Sequence, residues 1–471
     1  FLAGVRLLFG QGTAPIFLVQ QILGLGAVAL TAFLARRCFG VRPALAAAAL
    51  LGLYGQLAML ELKVMASTLA VFLSLASLLL LLTARERSWR FAAFLPGWVL
   101  GMACLARPNT LLFVPVAVLW LAWDGRRPKE GGRGIDTARL PAALLLTAGI
   151  AAAIAPATLR NLSVAGEWIV ISSQAGITFY QANNERAQGG YTILPGFRGT
   201  PRDMRAQART YAEKELGPGL TNADVSAYWM GRGLDYLRSH PAGAALLLAK
   251  KLRFWTTSDE LSTEYVLPVE RRWFPALWAM PLPFGVIFAL AFLGARQTGL
   301  GRPEHALLYG FVLANLASVL IFYFSSRYRV PAVPVLAGFA GCGLVAAIDR
   351  FRQARHGFWM WLAPALALAA YSLTSWSDVL ASQAAHQRFN YGKRFMQQQR
   401  FADALEQFQA AAGPLDHRWH VHFSLGNAYR RLGRREEALD AYERALELAP
   451  GQPAVAEMVN RLRDRLGRET P

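Results

Sequence analysis

The sequence predicts an all-α polytopic membrane protein with about ten spans, a mixed extracytoplasmic loop domain and a C-terminal α-solenoid. Three observations carry that reading. Of 471 residues, 54% are hydrophobic and only 17% are charged, against about 25% charged in an average soluble domain. Apolar runs near the roughly 20 residues that cross a bilayer as helix recur along the chain. In the tail, small and aromatic residues repeat at a shift of 34 residues, the period of a helical solenoid. Cys38, Cys104 and Cys342 lie far apart and form neither a disulfide framework nor a metal-ligand spacing.

The apolar runs are 15–34, 43–60, 64–83, 91–106, 110–123, 140–159, 274–293, 306–324, 330–348 and 358–375. Arginines fill alternate short loops, and the positive-inside rule turns that alternation into an orientation. Arg36, Arg37 and Arg42 follow the first span, and Arg85, Arg87 and Arg90 the third. Arg126, Arg127, Lys129, Arg133 and Arg139 follow the fifth. Arg296 and Arg302, then Arg350, Arg352 and Arg355, complete the cytoplasmic set. The segment 160–272 and the tail after 376 then fall outside the cytoplasm. The net charge of +19 is mostly this topology. Residues 160–272 and 382–471 each carry 14 basic against 11 acidic side chains, and the remainder carries 21 against 8. No nucleic-acid partner is expected.

The predicted domains are 1–356, a transmembrane domain that includes the 160–272 loop domain, then 357–381, a final span and linker, and 382–471, the solenoid. Within the loop domain, Trp168-Ile169-Val170-Ile171 reads as β-like. Residues 202–216 and 222–239 read as helices, with Asn222 as an N-cap. The apolar stretch 242–255 suits a helix on the membrane surface, with Lys250, Lys251 and Arg253 at one end. Loops this long are usually functional.

In the tail, Tyr391-Gly392, Phe395, Ala404, Phe408 and Ala411 recur as Leu425-Gly426, Tyr429, Ala438, Tyr442 and Ala445. This is the spacing of the tetratricopeptide repeat, with copies at about 385–418 and 419–452 and a capping helix at 454–466. Such repeats point to a protein partner. His417, His420 and His422 lie beside no Cys or paired carboxylate, and His420 and His422 would face different sides of a helix. No metal is expected there.

Ionisable groups at the ends of spans are functional candidates because they need water or a partner. Glu61 and Lys63 occupy a tight turn; Arg107 and Asn109 flank Pro108; Arg160 and Asn161 end the sixth span; Arg327, Tyr328 and Arg329 precede Pro331. All fall on the extracytoplasmic side. Guanidiniums converging there suit a phosphate at the level of the headgroups. For any one of these arginines taken alone, snorkelling to the interface competes with that reading.

Several stretches resemble a known family: Gln20-Gln21-Ile22, Arg36-Arg37-Cys38-Phe39-Gly40, Leu105-Ala106-Arg107-Pro108-Asn109, 325–331, Leu159-Arg160-Asn161, 171–177 and Tyr180-Gln181-Ala182-Asn183-Asn184. They look like bacterial GT-C membrane glycosyltransferases of family 39 and the aminoarabinose-transferase-like type, related to dolichyl-phosphate-mannose mannosyltransferases. Members ending in tetratricopeptide repeats are familiar. The resemblance covers roughly 1–355 and implies transfer of a sugar from a polyprenyl-phosphate donor to a glycan, lipid or protein acceptor, at the outer face of a bacterial inner membrane.

On that resemblance, Arg107, Arg327 and Arg329 would hold the donor phosphate. Lys63, Asn109, Arg160, Tyr180, Asn183, Asn184 and Tyr328 would line the substrate cavity. The family places its catalytic acid in a first outer loop that would precede Phe1. The chain is therefore read as N-terminally truncated and expected to be inactive alone, with Glu61 the remaining acidic candidate. No cofactor is implied, and whether a divalent ion assists stays open. No Gly-rich nucleotide loop is evident, which agrees with a lipid-linked donor. The alternatives are a non-catalytic membrane scaffold for cell-envelope assembly that recruits a partner through its repeats, and a transporter. The near absence of charges within the spans counts against the transporter.

Overall fold

In the computed structural model the chain is helical, and no strand forms among the described residues. The structure describes residues 1–86, 90–123, 137–192, 194, 197, 201–262, 265–353, 357–374 and 377–469. Of the loop residues used for orientation, Arg87, Arg126, Arg127, Lys129, Arg133 and Arg355 lie outside the described residues. The chain divides into two compact units, residues 1–260 with 276–374 and residues 261–275 with 375–471.

The first unit starts with α1 (Leu2–Phe9), α2 (Ala14–Phe39), α3 (Val41–Gly52), α4 (Gly55–Glu61), α5 (Ser67–Glu86), α6 (Phe94–Ala106), α7 (Val114–Ala122) and α8 (Leu140–Ala165). Four helices of the 160–272 segment follow: α9 (Ala175–Ala182), α10 (Pro201–Leu216), α11 (Asn222–Ser239) and α12 (Pro241–Thr256). After α13 (Leu267–Glu270), which belongs to the second unit, come α14 (Phe284–Ala295), α15 (Pro303–Ile321), α16 (Ser326–Arg329), α17 (Val333–Arg352) and α18 (Phe358–Leu373).

Helices α2, α5, α8, α15 and the run Ser326–Arg352 are long and apolar enough to cross a membrane. Val41–Gly52, Phe94–Ala106, Pro108–Ala122, Phe284–Ala295 and Phe358–Leu373 are shorter apolar helices. Each of the ten runs read from the sequence overlaps one of these helices, but only five of the described helices have the length of a span. Run 43–60 breaks between Gly52 and Gly55, and in run 274–293 the helix begins only at Phe284. Pro108 acts as expected: it opens a 3-10 turn, Pro108–Phe113, and Arg107 before it is extended at φ −146°. The ring removes a backbone donor and bars the preceding residue from helical geometry.

Helix α5 separates two kinds of arginine. Near its C-terminus, Arg37 donates to Thr83 Oγ1 at 2.7 Å and pairs with Glu86, while Arg85 donates to the Trp123 carbonyl. At its N-terminus, Arg107 donates to Ser67. A helix of 20 residues holds these groups about 30 Å apart.

The 160–272 segment departs from the sequence reading in three places. Residues 168–171 form no strand: Asn161 Nδ2 donates to the Ile169 carbonyl at 2.9 Å and Thr158 Oγ1 to Val170 at 2.8 Å. The stretch is pinned to the end of α8, and its carbonyls are taken by side chains. The cap of α11 is Thr221, not Asn222; Thr221 and Asp224 exchange bonds in a capping box. In α12, Leu247, Lys251, Phe254 and Trp255 are all buried, so this helix packs inward through the face that carries Lys251.

The second unit holds α13 and α19 (Ser377–Gln397), α20 (Phe401–Ala412), α21 (Trp419–Arg431), α22 (Arg435–Leu448) and α23 (Pro453–Glu469). Gly392 and Gly426 are where the repeat pattern put them. A Cβ would meet the Phe408 ring at 2.4 Å and the Tyr442 ring at 2.6 Å, so each glycine lets an aromatic seat between paired helices. Residues 261–275 belong to this unit. The buried Glu270 carboxylate accepts from Gln387 Nε2 and the Tyr391 hydroxyl, both at 2.6 Å, and the Trp273 ring packs at a tilt against Phe395, with centroids 5.4 Å apart.

Candidate phosphate-binding cavity

A cavity of about 1020 Å³ opens in the first unit, at the upper end of the range usual for small-molecule sites. One wall is the α4–α5 turn, with Met65 and Ala66; the end of α6 and the turn after it contribute Arg107, Pro108 and Asn109. The opposite wall is the pinned stretch 168–175 and the face of α11 that carries Ser226 and Met230. Arg327 and Tyr328 of α16 complete it.

The cations meet on one ring. The guanidinium carbon of Arg107 lies 5.2 Å from the Tyr328 ring centre and that of Arg327 5.1 Å. Arg327 also donates to the Tyr328 hydroxyl at 3.3 Å, and Tyr323 shares a bond with that hydroxyl at 3.0 Å. Asn315 Nδ2 fixes the backbone by donating to the Tyr328 carbonyl at 2.7 Å. A quadrupolar ring face holds both guanidiniums while leaving their positive charge in place. Two guanidiniums line the cavity, and no carboxylate is among its described lining residues. Mostly apolar walls focus such a field toward an anion.

The expected site residues therefore separate. Arg107, Asn109, Arg327 and Tyr328 come together at the cavity. Arg329 does not. It is fully buried, its Nη1 donates to the carbonyls of Phe254, Trp255 and Thr257, and its Nη2 lies 2.8 Å from Glu260. Tyr54 donates to the same carboxylate at 2.7 Å, and the Phe284 ring lies 3.7 Å under the Arg329 guanidinium. The C-terminal carbonyls of α12 capture this arginine, so it is a structural tie and not a phosphate ligand.

Asn183 and Asn184 are likewise spent on structure. Asn183 Nδ2 donates to the Phe179 and Ile321 carbonyls and its Oδ1 accepts from Lys251; Asn184 Nδ2 donates to Tyr180 and its Oδ1 accepts from Arg186 N–H. Both are buried, and neither is among the cavity's described lining residues. Tyr180 packs on Trp229 at 5.0 Å, with Arg232 over its other side. The side chain of Arg160 is exposed near the end of α8 and is absent from the cavity's lining.

Glu61 and Lys63 form the turn beside Met65. Gln20 Nε2 donates to both of their carbonyls at 2.8 Å. The Glu61 carboxyl packs over Gly24 of α2, where a Cβ would stand 1.8 Å from it. Neither side chain is among the lining residues.

Sequence reasoning missed Ser172, Ser173, Gln174 and Ser226, the polar end of the cavity. A signal for the last was present. Ala223, Ser226, Ala227 and Met230 follow the i, i+3, i+4, i+7 spacing of one helix face, and that face carries only small or flexible side chains. It also missed Lys251, whose ammonium is fully buried against Asn183 Oδ1 at 2.9 Å and the Leu320 carbonyl at 3.1 Å. Burial lowers its pKa to about 7.

Fold and cavity together define a polytopic helical membrane protein with a cationic, largely apolar cavity at one end of its bundle. Residues 1–158 match the family described as dolichyl-phosphate-mannose-protein mannosyltransferase, so the N-terminal third carries a domain of that family. Residues 419–452 match the tetratricopeptide repeat. Among solved structures, the chain is similar to the Archaeoglobus fulgidus oligosaccharyltransferase tethered with an acceptor peptide, at 13% identity and a TM-score of 0.41. That alignment covers 86% of this chain and 49% of the other, so the chain spans about half that protein's length. No curated protein matches the chain.

Proposed function

We propose that the protein is a membrane glycosyltransferase that takes a sugar from a polyprenyl-phosphate carrier at the extracytoplasmic face. The observation that carries this reading is the convergence of Arg107 and Arg327 on Tyr328 at a large, mostly apolar cavity. A lipid phosphate brings a charge for the guanidiniums and a chain for the apolar wall. As the bond between the sugar's anomeric carbon and the phosphate oxygen breaks, negative charge grows on the carrier phosphate, where Arg107 and Arg327 stabilise it. The anomeric carbon passes to an acceptor hydroxyl oxygen, and the proton of that hydroxyl is taken up by the departing phosphate, so that carrier phosphate and glycosylated acceptor are the products. Ser172, Gln174 and Ser226 line the same cavity and would hydrogen-bond hydroxyls of sugar or acceptor. The match of residues 1–158 to a mannosyltransferase family supports the reaction class, and the repeat supports a protein partner.

The test compares binding of a polyprenyl phosphate with the same polyprenol lacking phosphate, using the whole chain in detergent. The phosphate form should bind at least tenfold more tightly, since each charge-assisted bond contributes about 1.5–3 kcal/mol. Equal affinities would remove the phosphate site and the reading with it.

A further inference from the structure

A second cavity, of about 540 Å³, opens at the opposite end of the bundle. The C-terminal end of α2 supplies Arg36 and Arg37, the α14–α15 link supplies Arg302, and Phe39 and Cys342 give it an apolar side. We propose that this cavity binds the headgroup of an anionic phospholipid through its phosphodiester. The proposal is independent of the sugar-transfer reading.

Charge is the first argument. Arg36 and Arg302 are exposed at the rim, and neither has an acceptor among the described residues. Arg37 is balanced by Glu86 at 2.5 Å. Glu304 lies in the first turn of α15, and no carboxylate is among the cavity's described lining residues. Arg36 and Arg302 are therefore the groups that can take a phosphate fork, from two separate segments of chain.

The second argument is that the rim is held, not splayed. His305 is buried, stacks on Phe39 at 5.3 Å, and sets its ring nitrogens 3.2 Å from the Gly299 carbonyl and 3.4 Å from Cys38. One side chain thus ties the α14–α15 link to the end of α2, which keeps the two arginines on one opening. Gly40 ends α2 at φ +98°, and its N–H closes the helix on the Arg36 carbonyl. A residue with a Cβ would be strained in that turn.

The third argument is level. The cavity sits at the end of α2, whose mean hydropathy over its best 18 residues is 2.0. Basic groups closing such a helix lie where lipid phosphates lie, and basic pockets between spans are a recurrent form of headgroup recognition. A soluble phosphate would satisfy the same guanidiniums. The apolar flank of Phe39 and Cys342 gives a lipid a second contact that inorganic phosphate lacks.

The experiment uses the whole chain in a zwitterionic detergent with three probes: short-chain phosphatidylglycerol, short-chain phosphatidylcholine and inorganic phosphate. Phosphatidylglycerol should bind at least tenfold more tightly than either of the others. R36Q and R302Q should each weaken it about tenfold, the effect of one charge-assisted bond. R42Q should leave it within about twofold, because Arg42 pairs with Asp349 at the same end outside the cavity, and exposed pairs count for little. Equal binding of phosphatidylcholine overturns the proposal, as does an equal loss in R42Q or none in R36Q and R302Q. Inorganic phosphate binding as tightly as the lipid overturns the lipid assignment. If either glutamine variant fails to fold, R36K or R302K replaces it and should weaken binding at least threefold; unchanged binding again overturns the proposal.

Discussion

Arg327 and Arg329 are two residues apart in one short helix, and their surroundings could hardly differ more. Arg327 faces a cavity, with an aromatic ring and another guanidinium beside it. Arg329 is enclosed by three backbone carbonyls, a carboxylate and a phenyl ring. The difference comes from α12. Its C-terminal carbonyls lack partners within their own helix, as every helix end requires, and they lie next to one arginine and not the other. An arginine near a membrane surface therefore becomes a ligand group or a structural tie according to which helix end arrives beside it.

The largest expected effect breaks the tie. Arg329→Leu leaves Glu260 and the α12 carbonyls facing an apolar side chain, and removing one partner of a buried pair costs about 3–5 kcal/mol. Thermal unfolding of the purified chain should show a large drop in Tm or a failure to accumulate. Arg327→Gln should keep Tm nearly unchanged. Similar losses of stability in both variants would erase the distinction between the two arginines.

The next effect belongs to the cavity. Arg107→Gln combined with Arg327→Gln should raise the Kd for polyprenyl phosphate about a hundredfold, from two charge-assisted bonds. Equilibrium binding reads this directly.

Lys251 sharpens the comparison through pH. Its amine, ordinarily near 10.5, titrates at about 7 once buried. Between those values the unfolded chain holds a proton that the folded chain has released. Stability contributed at this site therefore rises with pH from about 7 to 10.5 and is flat below 7, with a slope of at most about 1.4 kcal/mol per pH unit. Denaturation at pH 7.5 and 9.5 should show a steeper rise for the native chain than for Lys251→Met. Parallel slopes would contradict the buried amine. The smallest effect is Tyr328→Phe, which keeps the ring but loses the hydroxyl bonds to Tyr323 and Arg327; binding should weaken only about threefold.

The apolar helices, five of them long enough to span a membrane, and the helical repeat were legible because both rest on patterns that burial imposes over many residues. The cavity's cations were half legible. Arg107 and Arg327 were recognisable as charges at span ends beside prolines, and the structure brings them together. Nothing local distinguishes Arg329 or Asn183 from them, because partners that hold them lie far away in the chain: Glu260 for Arg329, Lys251 and Ile321 for Asn183. Asn184 is held locally, by Tyr180 and Arg186. Lys251 looked like an interfacial lysine beside Lys250, and only the packing of α12 shows which of the two turns inward. The stretch 168–171 has strand-forming residues but no neighbouring strand, so side chains of α8 take its carbonyls instead. Its role as a cavity wall follows from that pinning and leaves no mark in the composition.

The central claim is that Arg107 and Arg327 share a lipid phosphate while Arg329 holds the fold. A structure of the chain with bound polyprenyl phosphate tests it most directly. The account predicts the phosphate within about 3 Å of guanidinium nitrogens of both Arg107 and Arg327, with Arg329 still on Glu260. A phosphate bound away from Tyr328, or an Arg329 turned out to meet it, would contradict the account.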